Sequence, residues 1–532
     1  MTAKKDILPG TPFQQLFFFF LTVLLPPFFC PGVSFSTSLP QPGIDLLTAV
    51  RTTLTHQPDI HLLEKEVDSQ TGQLRIEQGQ FDTTLGASVG HSHENIPRSS
   101  LDVLLGVQEI TDTTRYGINL TRQLRSGVVI QPGASLSRIY TQEPNYPTEN
   151  RARVDFTVTV PLFKSGGREV TEAGERAAEK ALDMSLLQLR HQTSVSVFNT
   201  VRAFWRYLAA KKELDQLTQS ESRADRLVTD IRMLIELDER PAADMEQVLA
   251  NLAEKNAARI AGMQTLFEAR QQLGLAVGLP FDQIAVLPLP EGDFPVPDMT
   301  VMTDFMAGSG DLLMSRSLLL RQDYLALQSL QEANEILLKA AENGLLPQVD
   351  LALKFGYAGL DEGSHLSNTL SSPGSDIPGV SVGAGLNYQW PFNNTTARGV
   401  LMQRKAAYEQ SRIRSEELSR SICSAVVTAL SDLTNSSQQL TRTQASVRLY
   451  QKAVENENMK FRMGISTLLD RITIENFLTS ALLQEIAAQE KFSNAMIRLR
   501  HETGTLLARD EQGLSVGMPE LTTLPPVNPG DP

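Results

Sequence analysis

A chain of 532 residues with a formal net charge of −13 has material for several ordinary domains. That acidity argues against a nucleic-acid binder, which carries a basic face. Hydrophobic residues at 41% and aromatics at 6% are modest for a helical membrane protein, and no internal stretch approaches the ~20 consecutive apolar residues of a spanning helix.

The N-terminus departs from this pattern. Lys4 and Lys5 precede the apolar run Leu16 to Leu25, which is followed by Pro26 and Pro27. A charged start, a short apolar core and small residues beyond it predict a secretory signal over residues 1–36, with Ser34 and Ser36 at positions −3 and −1 of the cleavage site. The run is too short to anchor the chain across a bilayer. Cleavage there leaves Cys423 alone, so no intramolecular disulfide is expected. Acylation of Cys30 is the other reading, disfavoured by the bulky Phe28-Phe29 before it.

Alternation of apolar and polar residues then marks strands. It is weak through Phe81, Leu85, Ala87 and Val89, and strong through Val154, Phe156, Val158, Val160 and Leu162. Between them, Tyr116 to Leu124 and Val128 to Tyr140 suggest an extra hairpin with no assigned place. A proline-free stretch follows, read as one helix from Glu169 to Leu237, about 100 Å long at 1.5 Å per residue. Pro241 in "DERPAADM" marks a turn before a second helix.

Alternation returns at Val349, Leu351, Leu353, Phe355 and Tyr357, and at Val380, Val382, Ala384, Leu386, Tyr388 and Trp390. At ~10 residues each, these strands have the length of outer-membrane barrel strands. A soluble sandwich is disfavoured, since the strands come in isolated pairs beside very long helices. Four strands, or six, cannot close a barrel whose single-chain minimum is about eight, and an open edge in lipid leaves unsatisfied backbone groups. Several chains must share one barrel, and three contributing four strands each give twelve.

From Phe392 to Met518 there is no proline. Val426, Leu433, Leu440, Val447, Val454, Phe461 and Leu468 recur every seven residues, with Ala481, Ala488 and Ala495 and then Phe492, Leu499 and Leu506 on the return arm. That period predicts a left-handed coiled coil. Gly464 interrupts it, costing about 1 kcal/mol inside a helix but suiting a helix end, with Ser466 or Thr467 as the next N-cap. "MGIST" is therefore a helix–turn–helix tip.

Pro161 and Pro391, Arg168 and Arg398, Arg232 and Arg462, and Gly274 and Gly504 all stand 230 residues apart. The expected organisation is a signal (1–36), two structural repeats (37–290 and 291–510) and a disordered tail (511–532). The fold class is α+β.

The segment "FRMGISTLLDRITIENFLTSALLQEIAAQEKFSNAMIRLRHETGTLL", with "LLPQVDL", "VPLFKSGG", "WPF" and "RQDY", resembles the TolC family of outer-membrane channel proteins over nearly all of the mature chain. The resemblance implies a homotrimer with a twelve-stranded barrel in the outer membrane, four strands per chain, continuous with a helical tunnel across the periplasm. It also implies partners: a periplasmic adaptor (membrane fusion) protein and an inner-membrane pump. The cargo would be drugs, toxic ions or secreted polypeptides. Gly464, Ile465, Ser466 and Thr467 match the adaptor-contact tip. Asp470 matches the first acidic residue of the periplasmic aperture, while Thr473 and Ser466 stand where the family has a second acid and an arginine, so the gate chemistry is altered here.

Histidines are scattered, and only His91 and His93 form a close pair, read as solvated residues of a surface loop rather than a metal site. No Walker loop, G-x-S-x-G or metalloprotease helix is present, so neither catalysis nor a cofactor is expected and transport energy comes from a partner. The alternative function is a coiled-coil scaffold of the envelope with no pore, and the two readings differ in whether the strands lie in lipid.

Overall fold

The computed structural model describes residues 43–96, 109–142, 147–297, 302, 305, 310–374, 378–510 and 513–526. The expected signal and Cys30 lie outside the described residues. Two helices lead the described chain: α1 (Leu46–His56), capped by Asp45, whose Oδ1 accepts from the Thr48 amide at 3.0 Å, and α2 (Pro58–Gly79), which starts on proline.

Six strands follow in two groups: β1 (Thr84–Ile96), β2 (Glu109–Gln123), β3 (Val129–Thr141) and β4 (Glu149–Pro161), then β5 (Gln348–Glu362) and β6 (Pro378–Gln389). They form one antiparallel sheet in the order β1-β2-β3-β4-β5-β6. The sheet of one chain thus holds six strands, two more than the four expected for its share of a barrel. The unplaced segments are β2 and β3, and they stand in the sheet between β1 and β4, which are not paired with each other. The alternation of each strand falls into register with its neighbours. Ala87, Ile118, Ala134, Val154, Tyr357 and Val380 form one cross-strand row on one face, and Gly86, Asn119, Gly133, Asp155, Gly356 and Ser381 form the adjacent row on the other. The first face is apolar and open, with Val89 at 76% and Val380 at 78% exposure. His91 and His93 are not in a loop. They lie in β1, with Nδ1 atoms 2.9 Å from Thr114 Oγ1 and 2.6 Å from Asp112 Oδ1.

The helical part carries α3 (Ala173–Glu236) of 64 residues, α4 (Ala243–Val277), α5 (Gly310–Leu320), α6 (Gln322–Asn343), α7 (Thr395–Arg462) of 68 residues and α8 (Leu468–Glu502). α2 packs on α3, α3 on α6 and α6 on α7, making a four-helix layer beneath the sheet. α4 pairs with α3, and α8 with α7. The seven-residue column is the seam of the last pair: Val426, Leu433, Leu440, Val447, Phe461 and Leu468 are buried, as are Ala481, Ala488, Ala495, Phe492, Leu499 and Leu506. The core has three centres along the rod: one around Phe204, Trp205 and Tyr207, one around Val426, Leu433 and Phe492, and one near the far end around Ile231, Phe461 and Ile472.

Two polar clusters tie the middle of the rod. Arg321, at the N-cap of α6, holds Asp323 with both Nε (3.0 Å) and Nη2 (2.7 Å), and reaches Glu502 of α8 through Nη1 at 2.5 Å. This accounts for the "RQDY" motif. His501 lies beside it, stacked on Phe198 with ring centroids 4.8 Å apart, and burial pushes its pKa down to about 3. Of the expected disordered tail, residues 518–526 are instead packed on the helices. A short helix α9 (Met518–Thr522) buries Leu521, Arg500 donates to the carbonyls of Thr523 (2.6 Å) and Leu524 (2.9 Å), and Arg316 donates to that of Pro526 (2.6 Å). Among the described residues, no helix is long and apolar enough to cross a membrane.

Candidate functional site at the helical tips

The rod ends in two turns, one between α3 and α4 and one between α7 and α8. Both stop their first helix with the same hydrogen bond, which closes a left-handed cap. The Glu239 amide reaches the Leu234 carbonyl at 2.9 Å, and the Ile465 amide reaches that of Lys460 at 3.0 Å. The left-handed residue is Asp238 in the first turn (φ +58°) and Gly464 in the second (φ +73°). The returning helices end alike, at Leu279 to Gly274 (3.0 Å) and Thr505 to Arg500 (2.9 Å). At these helix ends the matching positions are thus 226 residues apart, as in Gly278 and Gly504, where Gly274 was expected to match Gly504 at 230; Gly274 is instead a packing glycine against Ile284. Gly464 suits its turn for its conformation alone, because a Cβ there would meet nothing within 4 Å.

Asp238 adopts that conformation with a side chain, which strains it. Asp238→Gly should stabilise the first tip by up to about 1 kcal/mol. Slower amide hydrogen exchange in the last turn of α3 is the expected reading, and faster exchange would show that the aspartate side chain itself holds the turn.

Beyond Gly464, Thr467 is the N-cap of α8 in a reciprocal capping box. Its Oγ1 accepts from the Asp470 amide at 3.2 Å and donates to Asp470 Oδ2 at 2.6 Å, and its own amide donates to that carboxylate at 3.3 Å. Ser466, the other candidate cap, turns away and donates to Glu457 Oε1. Lys460 Nζ reaches the other oxygen of Glu457 at 3.1 Å. Glu457, Lys460, Ser466, Asp470 and Thr473 therefore line one depression of about 540 Å³ at the tip. The three expected aperture residues are brought together, and Asp470 and Thr473 are exposed. The Thr467 hydroxyl and then its amide hold the Asp470 carboxyl below the usual range. Ser466 and then Lys460 do the same for Glu457, against repulsion from Asp470. Both acids are ionised at neutral pH, and Lys460 offsets one of them.

Glu457 and Lys460 were not singled out by the sequence reading; their three-residue helical spacing is the signal that points to them. A second missed feature joins the two tips. Phe461 is buried between two guanidinium groups, with Arg240 Cζ 4.7 Å and Arg471 Cζ 5.2 Å from its ring centroid. Arg471 also stands 4.0 Å from Asp230 of α3. Beside this clamp runs a groove of about 930 Å³ lined from both turns, including Leu234, Pro241, Gly464, Ile465 and Thr467. Ile465 is 72% exposed at its edge. Such a site can bind a partner and set a local field. Among the described residues, no group of three or more His, Cys, Asp or Glu is placed to hold a metal.

Residues 313–505 match the family model described as outer membrane efflux protein. The fold is similar to that of the CmeC outer membrane channel of Campylobacter jejuni, at 13% identity over 86% of this chain and 85% of that one, with a TM-score of 0.61. It is also similar to the outer membrane protein VceC of Vibrio cholerae (14% identity, 86% and 96%, TM-score 0.60). The open-state MtrE outer membrane channel of Neisseria gonorrhoeae is a third likeness (14% identity, 86% and 88%, TM-score 0.58). No curated protein matches the chain.

Proposed function

We propose that this chain, which carries the outer membrane efflux protein pattern over residues 313–505 and has the fold of the TolC-like channels, is the outer-membrane duct of a tripartite export system. The observation that carries this reading is the union, in one chain, of a two-faced sheet with helices of 64 and 68 residues. The apolar face meets lipid and the polar face a water-filled lumen. The helices, about 100 Å long, carry that lumen through the periplasm. Residues 1–36 are the export signal, and the segments 37–290 and 291–510 are two copies of one architecture.

Six strands cannot close alone, so three copies surround one axis. The tip at Gly464, Ile465, Ser466 and Thr467 contacts a periplasmic adaptor, and an inner-membrane pump supplies the energy and selects the cargo, either drugs and toxic compounds or polypeptides. Asp470 forms a ring of three carboxylates at the periplasmic mouth, with Thr473 and Ser466 beside it and Glu457 adding a second acid per chain. Such a ring attracts cations, so closure comes from other contacts, of which Arg471 with Asp230 is one.

Asp470→Asn keeps the cap, since asparagine oxygen also accepts from an amide, and removes three charges from the mouth. In planar bilayers the variant should show lower cation selectivity and weaker block by multivalent cations added on the periplasmic side. No change in either property would put Asp470 off the pore. A folded monomer in detergent by mass photometry would overturn the duct itself.

A further inference from the structure

We infer that each chain contributes six strands to the barrel wall, that its β6 edge pairs with the β1 edge of a second copy, and that three copies close an eighteen-stranded barrel. This rests on the proposed trimer and goes beyond it, because the twelve-strand count no longer follows once β2 and β3 lie within the sheet.

Three observations support the inference. The first is that β2 and β3 obey the two-faced pattern of their neighbours. Ile118 and Ala134 continue the apolar row from Ala87 to Val154, while Asn119 and Gly133 continue the polar-face row from Gly86 to Asp155. A surface excursion has no reason to keep that alternation in register over two strands.

The second is that the β2–β3 turn is built into the junction between sheet and helices. Arg125 grips the buried Glu175 of α3 with two hydrogen bonds, of 3.0 and 2.8 Å, and lies 4.8 Å over the ring of Phe81. Gly127 (φ +91°) comes so close to the loop before α3 that a Cβ would stand 2.6 Å from the Ser165 carbonyl oxygen. The Gly167 amide donates to the Ser126 carbonyl at 3.2 Å. If the hairpin swung out of the sheet, all of these contacts would be lost.

The third is a match of widths. Strands about 4.8 Å apart and tilted by about 40° each take up roughly 6 Å of circumference. Six strands therefore span about 36 Å, and four only about 24 Å. The layer of α2, α3, α6 and α7 below them, at about 8–10 Å per helix, spans roughly 32–40 Å. Six strands match the width of the helices of one chain.

The closure is also consistent in direction. With an even number of antiparallel strands, β1 and β6 run oppositely, so β6 of one copy meets β1 of the next as an antiparallel neighbour. Each pairing satisfies edge groups that would otherwise be left without partners in lipid. Barrel diameter grows about linearly with strand number, so the bore is roughly one and a half times that of twelve strands, in the range where barrels stay water-filled.

Electron cryomicroscopy of the detergent-solubilised full chain tests both the count and the copy number. Eighteen strands from three copies are expected. Three copies with twelve strands, the hairpin lying off the wall, would overturn the inference and leave the proposed duct standing; a different copy number would overturn both. A disulfide test in membranes gives the same decision. With Cys423 replaced by serine, Ala134→Cys and Val154→Cys, which are register partners, should crosslink almost completely within one chain under mild oxidant. Crosslinking of Ala87→Cys with Val154→Cys instead would place β1 directly beside β4 and overturn the inference.

Discussion

Arg321→Ala will destabilise the folded chain by about 3–5 kcal/mol, the usual consequence of removing one partner from a buried charge cluster. Arg321, its side chain only 10% exposed, is held by Asp323 on its own helix and Glu502 on the return arm of the second hairpin. Its guanidinium stays charged despite its desolvation because both carboxylates favour that form. Without it, two carboxylates face each other in a site that water reaches poorly. His191, 3.8 Å from Asp323, is a weak substitute, since burial lowers its own pKa. The expected measurements are a lower midpoint in chemical denaturation and a smaller yield of assembled protein. Arg321→Lys keeps the charge but not the two-pronged grip, so it should recover only part of the loss. Full stability of Arg321→Ala would mean that the cluster is incidental to the fold.

The helical seam was legible because a heptad column needs only burial on one stripe, and Val426 to Leu468 shows it without help from other parts of the molecule. The tip was legible for a similar local reason, a glycine flanked by cap residues. What failed was what depends on partners distant in sequence. The alternation in β2 and β3 is diluted by Gly117 and Gly133 and by polar residues on both sides, and no local pattern states which strands they join. That is set by register with β1 and β4. At the end of the returning helix the expected repeat match lies four residues off, and four is close to one helical turn. A shift of that size returns side chains to the same face, so Gly274 served in place of Gly278. Glu457 was hidden in a polar helix face, since its partner Ser466 lies across the turn. His91 and His93 read as loop residues because strand ends tolerate polar side chains, and only pairing with Thr114 and Asp112 places them.

Phe461→Ala is expected to loosen the two tips by about 3–5 kcal/mol locally. The ring is the aromatic member of the cluster that also holds Leu227, Val228, Ile231, Leu468 and Ile472. It is also the surface on which Arg240 and Arg471 stack. Truncation leaves a cavity and frees both guanidinium groups, and Arg471 then loses the support that keeps it near Asp230. The sheet lies about 100 Å away along the helices, so assembly should persist while amides from Lys460 to Asp470 exchange faster and export falls. Packing and cation–π attraction can be separated with Phe461→Leu, a smaller change in volume that keeps the apolar contact and removes the aromatic face. If packing dominates, leucine should restore most of the exchange protection; if the stacked arginines dominate, leucine should resemble alanine. Normal protection in the alanine variant would mean that the tips are held together elsewhere, and the groove between them would lose its claim to be a preformed docking surface.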